Sequence, residues 1–177
     1  MRRPLAALTL ATQLAGCSVF SPLPAWELLK AGGSAGSTAL AYGPSQASQV
    51  IHHGDAVPAS LCIEYNREAP AAELVPALQA ELRGHGVQSR VYEAGSGLAQ
   101  CSVWLRYSAA IQWGRPPLAS AYKSYLSAAT LSLHQADGRL MASSAYQLDE
   151  GLGLGRWATT RSKLAPAVRA LLTGFAS

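Results

Sequence analysis

The sequence predicts an α+β fold: a two-layer sandwich of one mixed sheet with two main helices, in the order β-α-β-β-β-β-α, with an extra strand at the N-terminal edge. Three observations predict it. Residues 101–113 alternate between apolar and polar over a long run, Leu74, Leu78 and Leu82 recur at helical spacing, and Asp137-Gly138 separates two further strand-like runs. One domain is expected over residues 46–177, because 49% hydrophobic and 14% charged content suits a globular body rather than a disordered chain.

Taken in order, Gln46 to His52 is expected as an edge strand and Leu61 to Tyr65 as a buried one. Pro70 to Arg83 reads as a helix, with Leu74, Leu78 and Leu82 on one face. Pro76 falls in its early part, where a missing N–H costs least, and Gly84-His85-Gly86 ends it. Val87, Ser89 and Val91 then alternate with Gln88, Arg90 and Tyr92, which marks a strand. In the long run, Cys101, Val103, Leu105, Tyr107, Ala109, Ile111 and Trp113 face one way. Ser102, Trp104, Arg106, Ser108, Ala110 and Gln112 face the other, the pattern of a strand with one buried face. Tyr125 to His134 and Arg139 to Leu148 form a hairpin about Asp137-Gly138. Trp157 to Phe175 closes the chain as a helix with Leu164, Val168, Leu171, Leu172 and Phe175 on one stripe, and Pro166 is expected to kink or divide it.

The amino terminus carries an address. Met1-Arg2-Arg3 is a cationic start, Leu5 to Gln13 is apolar and uncharged, and small residues follow at Leu14-Ala15-Gly16-Cys17. That order makes a secretory signal, and the apolar run is too short to span a bilayer. Leu14-Ala15-Gly16-Cys17 resembles the lipobox of bacterial lipoproteins. The resemblance implies cleavage before Cys17, a diacylglyceryl group on its thiol and acylation of the new amino terminus. Such a multi-chain anchor holds where one acyl chain binds reversibly. Ser18, rather than aspartate, resembles the outer-membrane members, so a periplasm-facing, lipid-anchored body at the outer membrane is expected. The alternative is an ordinary secreted protein with a cysteine near its cut site. Residues 1–16 are then the signal and 17–45 a flexible tether holding Pro22, Pro24, Pro44 and the run from Gly32 to Ser37. Removing Arg2 and Arg3 lowers the net charge of +4 to +2, too little to suggest nucleic acid as a partner.

Of three cysteines, lipidation of Cys17 leaves Cys62 and Cys101 as a pair in an oxidising compartment. A bridge between them requires their strands to be parallel neighbours; the alternative is two buried free thiols.

The body resembles a family of small uncharacterised proteobacterial envelope lipoproteins. The likeness rests on Cys62-Ile63-x-x-Asn66, His85-Gly86-Val87, Cys101 with Leu105-x-Tyr107-x-Ala109, and Trp113. It continues through Tyr125-Leu126, Ala145-Tyr146-x-Leu148, Trp157-x-x-Thr160-x-x-Lys163 and Leu171-Leu172-x-Gly174-Phe175, covering about residues 60–175. It implies the lipid anchor and the paired cysteines, and no activity. The element order is also similar in architecture to the amino-terminal domain of the Tol-Pal β-propeller protein.

Each candidate for chemistry lacks part of what that chemistry needs. Gly32-Gly33-Ser34-Ala35-Gly36 matches the hydrolase nucleophile elbow, but without a strand before it and a helix after it. His52-His53-x-Asp55 offers metal-ligand types, yet adjacent strand residues point to opposite faces, so a solvated loop edge is expected. Gly151-Leu152-Gly153-Leu154-Gly155-Arg156 precedes a helix, where phosphate can bind with Arg156 and Arg161 assisting. Its spacing is not that of a dinucleotide loop, and a connector with close-packing glycines is the expected reading. Trp104 lies on the polar face of its strand; burial in the core under a helix is expected, and exposure beside Arg106 is the alternative. No catalytic, cofactor-binding or metal residue is expected. The candidate contact surface is Trp104, Arg106, Tyr122 and Arg156, extended by Arg115 and Lys123. The expected function is a non-enzymatic adaptor for another envelope protein; a lipid- or glycan-binding carrier or sensor is the alternative, and a hydrolase ranks last.

Overall fold

The computed structural model describes residues 40–69, 71–97, 100–149, 151, 153 and 155–176. The expected signal segment, Cys17 and the Gly32–Gly36 motif lie outside the described residues. The elements are β1 (Ala47–His52), β2 (Ser60–Tyr65), α1 (Leu74–Gly84), β3 (Gln88–Glu93), β4 (Val103–Gly114), β5 (Lys123–Gln135), β6 (Leu140–Gln147) and α2 (Thr160–Thr173). The strands form one six-stranded mixed sheet in the order β1-β6-β5-β4-β2-β3. β3, β2 and β4 run parallel, and the pairs β4–β5, β5–β6 and β1–β6 are antiparallel. The predicted α+β sandwich is therefore the fold, with the extra N-terminal strand present at the edge.

Both helices supply the same core. Leu74, Leu78 and Leu82 of α1 and Leu164, Val168 and Leu171 of α2 meet Ile63, Leu105, Leu131 and Leu133 of the sheet. Each of the six helix residues named is inaccessible to solvent, as the two periodicities require. α1 starts at Leu74 rather than Pro70, and Pro76 occupies its first turn, where the absent N–H breaks no helical bond. At its other end Val87 N bonds Leu82 O and Gly86 N bonds Arg83 O, closing the helix and launching β3.

α2 differs from expectation at three points. It begins at Thr160, because Thr159 is extended and its side chain accepts from Ser162 N at 3.2 Å. It runs through Pro166 as one helix. Proline leaves the carbonyl four residues before it without a helical donor, and Ser45 Oγ lies 3.0 Å from that carbonyl, Ser162 O, and from Lys163 O. Finally, Gly174 turns the chain into the left-handed region, so Phe175 leaves the apolar stripe and is 71% exposed.

The length of β4 and β5 decides the fate of the long alternating run. Val103, Leu105 and Tyr107 are buried and Arg106 and Ser108 exposed, as predicted. Trp113 was expected on the buried side and is 69% exposed. The 12-residue β4 is about 40 Å long, whereas α1 and α2 extend only about 16 and 21 Å, so the far end of the β4–β5 hairpin outruns the helical layer. The hairpin also carries a bulge. The register steps from Ala110↔Ala128 to Ile111↔Leu126, leaving Ser127 as the extra residue.

Cys62 and Cys101 are joined by a disulfide, with Cα atoms 6.0 Å apart. Their strands are parallel neighbours, although Cys62 is level with Trp104 and Cys101 precedes β4. Tyr92 of β3 and Trp104 lie on the face of the sheet opposite the helices. There Tyr92 Oη bonds Gln100 Oε1 at 2.6 Å, and the Tyr92 ring meets Trp104 edge-on at 6.0 Å. Trp104 is 4% exposed, so it is buried as expected, but against Tyr92 on the open face rather than under a helix.

Candidate functional site

The four residues of the predicted contact surface do not form one surface. Trp104 is buried, which removes it as a contact. Arg106 is occupied by Glu64, at 2.7 Å, on the open face of β4. Tyr122 lies in the β4–β5 loop and Arg156 in the loop before α2, both at the opposite end of the sheet. From Arg106 to Gly114 the strand climbs about 26 Å, which separates the two pairs.

The end that holds Tyr122 and Arg156 has two parts. The outer part is the hairpin tip. Trp113, Leu118 and Tyr122 are 69%, 97% and 65% exposed, and Arg115 lies over the Tyr122 ring with its guanidinium carbon 5.1 Å from the centroid. Leu118 also holds a positive φ of 63°, a conformation costly for a side chain of its shape. Sequence reasoning reached Arg115, Tyr122 and Lys123 but missed Trp113 and Leu118. A leucine following Gly114-Arg115-Pro116-Pro117 was the available signal, since no core position falls in such a loop.

The inner part is an aromatic and cationic cluster. Tyr125 and Trp157 meet edge-on at 5.0 Å, Arg156 lies 5.7 Å from the Tyr125 centroid, and Lys163 Nζ lies 5.4 Å from Tyr125 and 5.9 Å from Tyr146. Lys163 is 1% exposed. It has no carboxylate partner among the described residues; its ammonium donates to Leu126 O at 2.8 Å and Arg156 O at 2.6 Å. Leu126 adjoins the Ser127 bulge, so this lysine supplies a donor where the β4–β5 ladder is interrupted. Burial, with a smaller contribution from the Arg156 charge, lowers its pKa to about 8. Burial, aided by Tyr125, pushes the Tyr146 hydroxyl up to about 12.

The glycine loop does not cradle an anion with its backbone. Gly151 N bonds Asp149 Oδ1, Gly153 N bonds Asp149 O, Gly155 N bonds Leu40 O and Trp157 N bonds Ala41 O. A side chain at Gly155, where φ is 68°, would put its Cβ 2.9 Å from Gly43 O. The glycines permit close packing, against residues 40–43 rather than the sheet. Arg161, expected to assist a phosphate there, is turned to Glu81 at 3.0 Å.

The remaining candidates are engaged in local structure. His52 Nδ1 accepts from Gly54 N at 3.0 Å, and Asp55 takes two hydrogen bonds from Arg139, at 3.1 and 2.8 Å. Arg139 holds the Asp55 carboxyl below its usual range. Among the described residues no three histidine, cysteine or acidic side chains gather as metal ligands. Ser132 Oγ lies 3.0 Å from His134 Nε2, but the other ring nitrogen faces Gly138 O at 3.3 Å rather than a carboxylate. A cavity of about 670 Å³ opens beside the ends of β2 and β3; of its charged lining, Glu64 pairs with Arg106 and Arg67 with Glu93, and Glu68 adds a further carboxylate. No described helix is long and apolar enough to cross a membrane.

No family model and no curated relative matches the chain. Among solved structures it is similar to a dodecamer of a PelC point variant from Paraburkholderia phytofirmans, at 11% identity and a TM-score of 0.48. That match covers 73% of this chain and 100% of the other. A second PelC dodecamer from the same organism matches at 12% identity and a TM-score of 0.43, over 67% of this chain and 98% of the other. Nothing about activity, partner or assembly is carried over from either.

Proposed function

We propose that this chain is a lipoprotein anchored to the outer membrane through Cys17, whose tethered body acts as a non-enzymatic adaptor for another envelope protein. The supporting observation is the hairpin tip. Three large side chains, Trp113 at the end of β4 and Leu118 and Tyr122 in the loop after it, stand exposed at the hairpin tip beside Arg115. Aromatic residues and arginine in that arrangement suit the centre of a protein interface. Arg115 and Lys123 supply only positive charge to the tip, so the matching surface on the partner carries acidic residues.

The address and the tip are tested separately. In cells, Cys17→Ser should accumulate as a full-length, unlipidated precursor, read by intact mass; normal processing of that variant sinks the anchor. For the adaptor, a photocrosslinking residue at position 118 or 122 should capture one discrete protein, and Trp113→Ser should abolish the capture. The same protein captured from exposed Arg169 on α2, or capture indifferent to Trp113→Ser, counts against the tip. Lipid adducts alone at both positions would favour the carrier reading, for which the adjoining cavity of about 300 Å³ is the supporting feature.

A further inference from the structure

We infer that the pocket between the β4–β5 loop and the glycine loop binds a phosphate group, held by the side chains of Arg115 and Arg156. The pocket encloses about 300 Å³ and is lined by Ala41, Arg115, Pro117, Arg156, Trp157 and the loop glycines. No acidic side chain lines it among the described residues. Arg67, Arg106, Arg139 and Arg161 each have a carboxylate oxygen within 3.0 Å, whereas Arg83, Arg90 and Arg169 have none among the described residues but do not line this pocket. Arg115 and Arg156 have none among the described residues, and their recorded cation contacts are the faces of Tyr122 and Tyr125.

Arg156 is held in place before any ligand arrives. Its guanidinium packs over Tyr125 and against Gly153, where a Cβ would lie 3.0 Å from Nη2, so a larger residue there would displace it. Its Nε is shielded from solvent and has no hydrogen-bond partner. Lys163, whose ammonium donates to Arg156 O, fixes the backbone from which the Arg156 side chain springs. Two guanidinium groups line one small pocket without a carboxylate partner among the described residues, and an anion with several oxygens can accept from both forks. Phosphate meets this requirement better than a carboxylate, whose two oxygens satisfy one fork. Because the N–H groups of Gly151, Gly153, Gly155 and Arg156 are already used, the side chains of Arg115 and Arg156 carry the recognition, in contrast to a phosphate-binding glycine loop. The site shares Arg115 with the hairpin tip but not Trp113 or Leu118, so Trp113→Ser, which should abolish the adaptor's capture, should leave the phosphate response intact.

The phosphate belongs either to a free phosphate or to a lipid headgroup, and two probes distinguish them. The full lipidated chain in neutral detergent is titrated with inorganic phosphate and with glycerophosphoglycerol, the headgroup diester, at constant ionic strength set by chloride. Thermal unfolding and the tryptophan fluorescence of Trp157 serve as readouts. A saturable response is expected, weakened roughly tenfold or more in Arg115→Gln and again in Arg156→Gln, and unchanged in Arg169→Gln. Tighter binding of the diester assigns a lipid headgroup, and tighter binding of inorganic phosphate a free anion. Arg115 is exposed and outside the core, so its variant folds even if Arg156→Gln loosens the Tyr125 contact. Absence of a saturable response to both probes, or a response that Arg115→Gln leaves intact, overturns the proposal.

Discussion

Loss of the Cys62–Cys101 bridge is expected to destabilise the domain by about 4 kcal/mol, because the crosslink closes a segment of 39 residues in the unfolded chain. The position of the bridge adds to this. β4 and β5 are registered along their whole length, from Val103↔Gln135 to Gly114↔Lys123. β2 and β4 are paired only at Cys62↔Trp104 and Ile63↔Leu105. The disulfide therefore crosses the weakest seam in the sheet, between its parallel and antiparallel parts. Double substitution of Cys62 and Cys101 by serine should lower the melting temperature on the order of 10 °C. Amide exchange should show β2, α1 and β3 losing protection before β4, β5 and β6. A variant within about 1 kcal/mol of the parent in urea unfolding would rule out this role for the bridge.

The second large effect is a rise in stability with alkaline pH, caused by Lys163. Its folded pKa of about 8 lies below the ordinary 10.5, so above pH 8 the folded domain sheds this proton more readily than the unfolded chain. Stability from this group is lowest and constant below pH 8 and increases as pH rises toward 10.5. By pH 9.5 the gain amounts to about 2 kcal/mol. The window closes near pH 10, where Tyr146, raised to about 12 in the fold, begins to ionise in the unfolded chain and contributes the opposite slope. Urea unfolding at pH 7.5, 8.5 and 9.5 should show the rise in the parent and a flat profile in Lys163→Met. The variant also leaves Leu126 O and Arg156 O without their donor, so it should fall increasingly below the parent across the window. Identical profiles for the two proteins would mean that Lys163 is solvated.

The candidate site was legible in fragments. Arg156 stood out by following a glycine loop, and Tyr122 by its place in a proline-rich connection. Their common location at one end of the sheet was not, because it follows from α2 returning its first turn to the end of β5. Lys163 entered only through the family resemblance, since a lysine in the first turn of a helix reads as solvated. Its burial follows from the bulge at Ser127, whose one extra residue has no signature in the alternation of Tyr125 to His134.

By itself, the sequence determined the periodic features: the two leucine-bearing helix faces, the six strands including the edge strand, the Asp137-Gly138 hairpin, and which cysteines remain for a bridge once Cys17 is assigned to a lipid. These are local properties, set by how side chains alternate along a helix or strand. Tertiary structure alone decided what covers each face. Trp104 is buried with the Tyr92 ring of β3 edge-on against it, and Trp113 is exposed because its strand outruns the helices. Alternation along a strand states that two faces differ, but which parts of each face meet water depends on the length and path of segments distant in the chain.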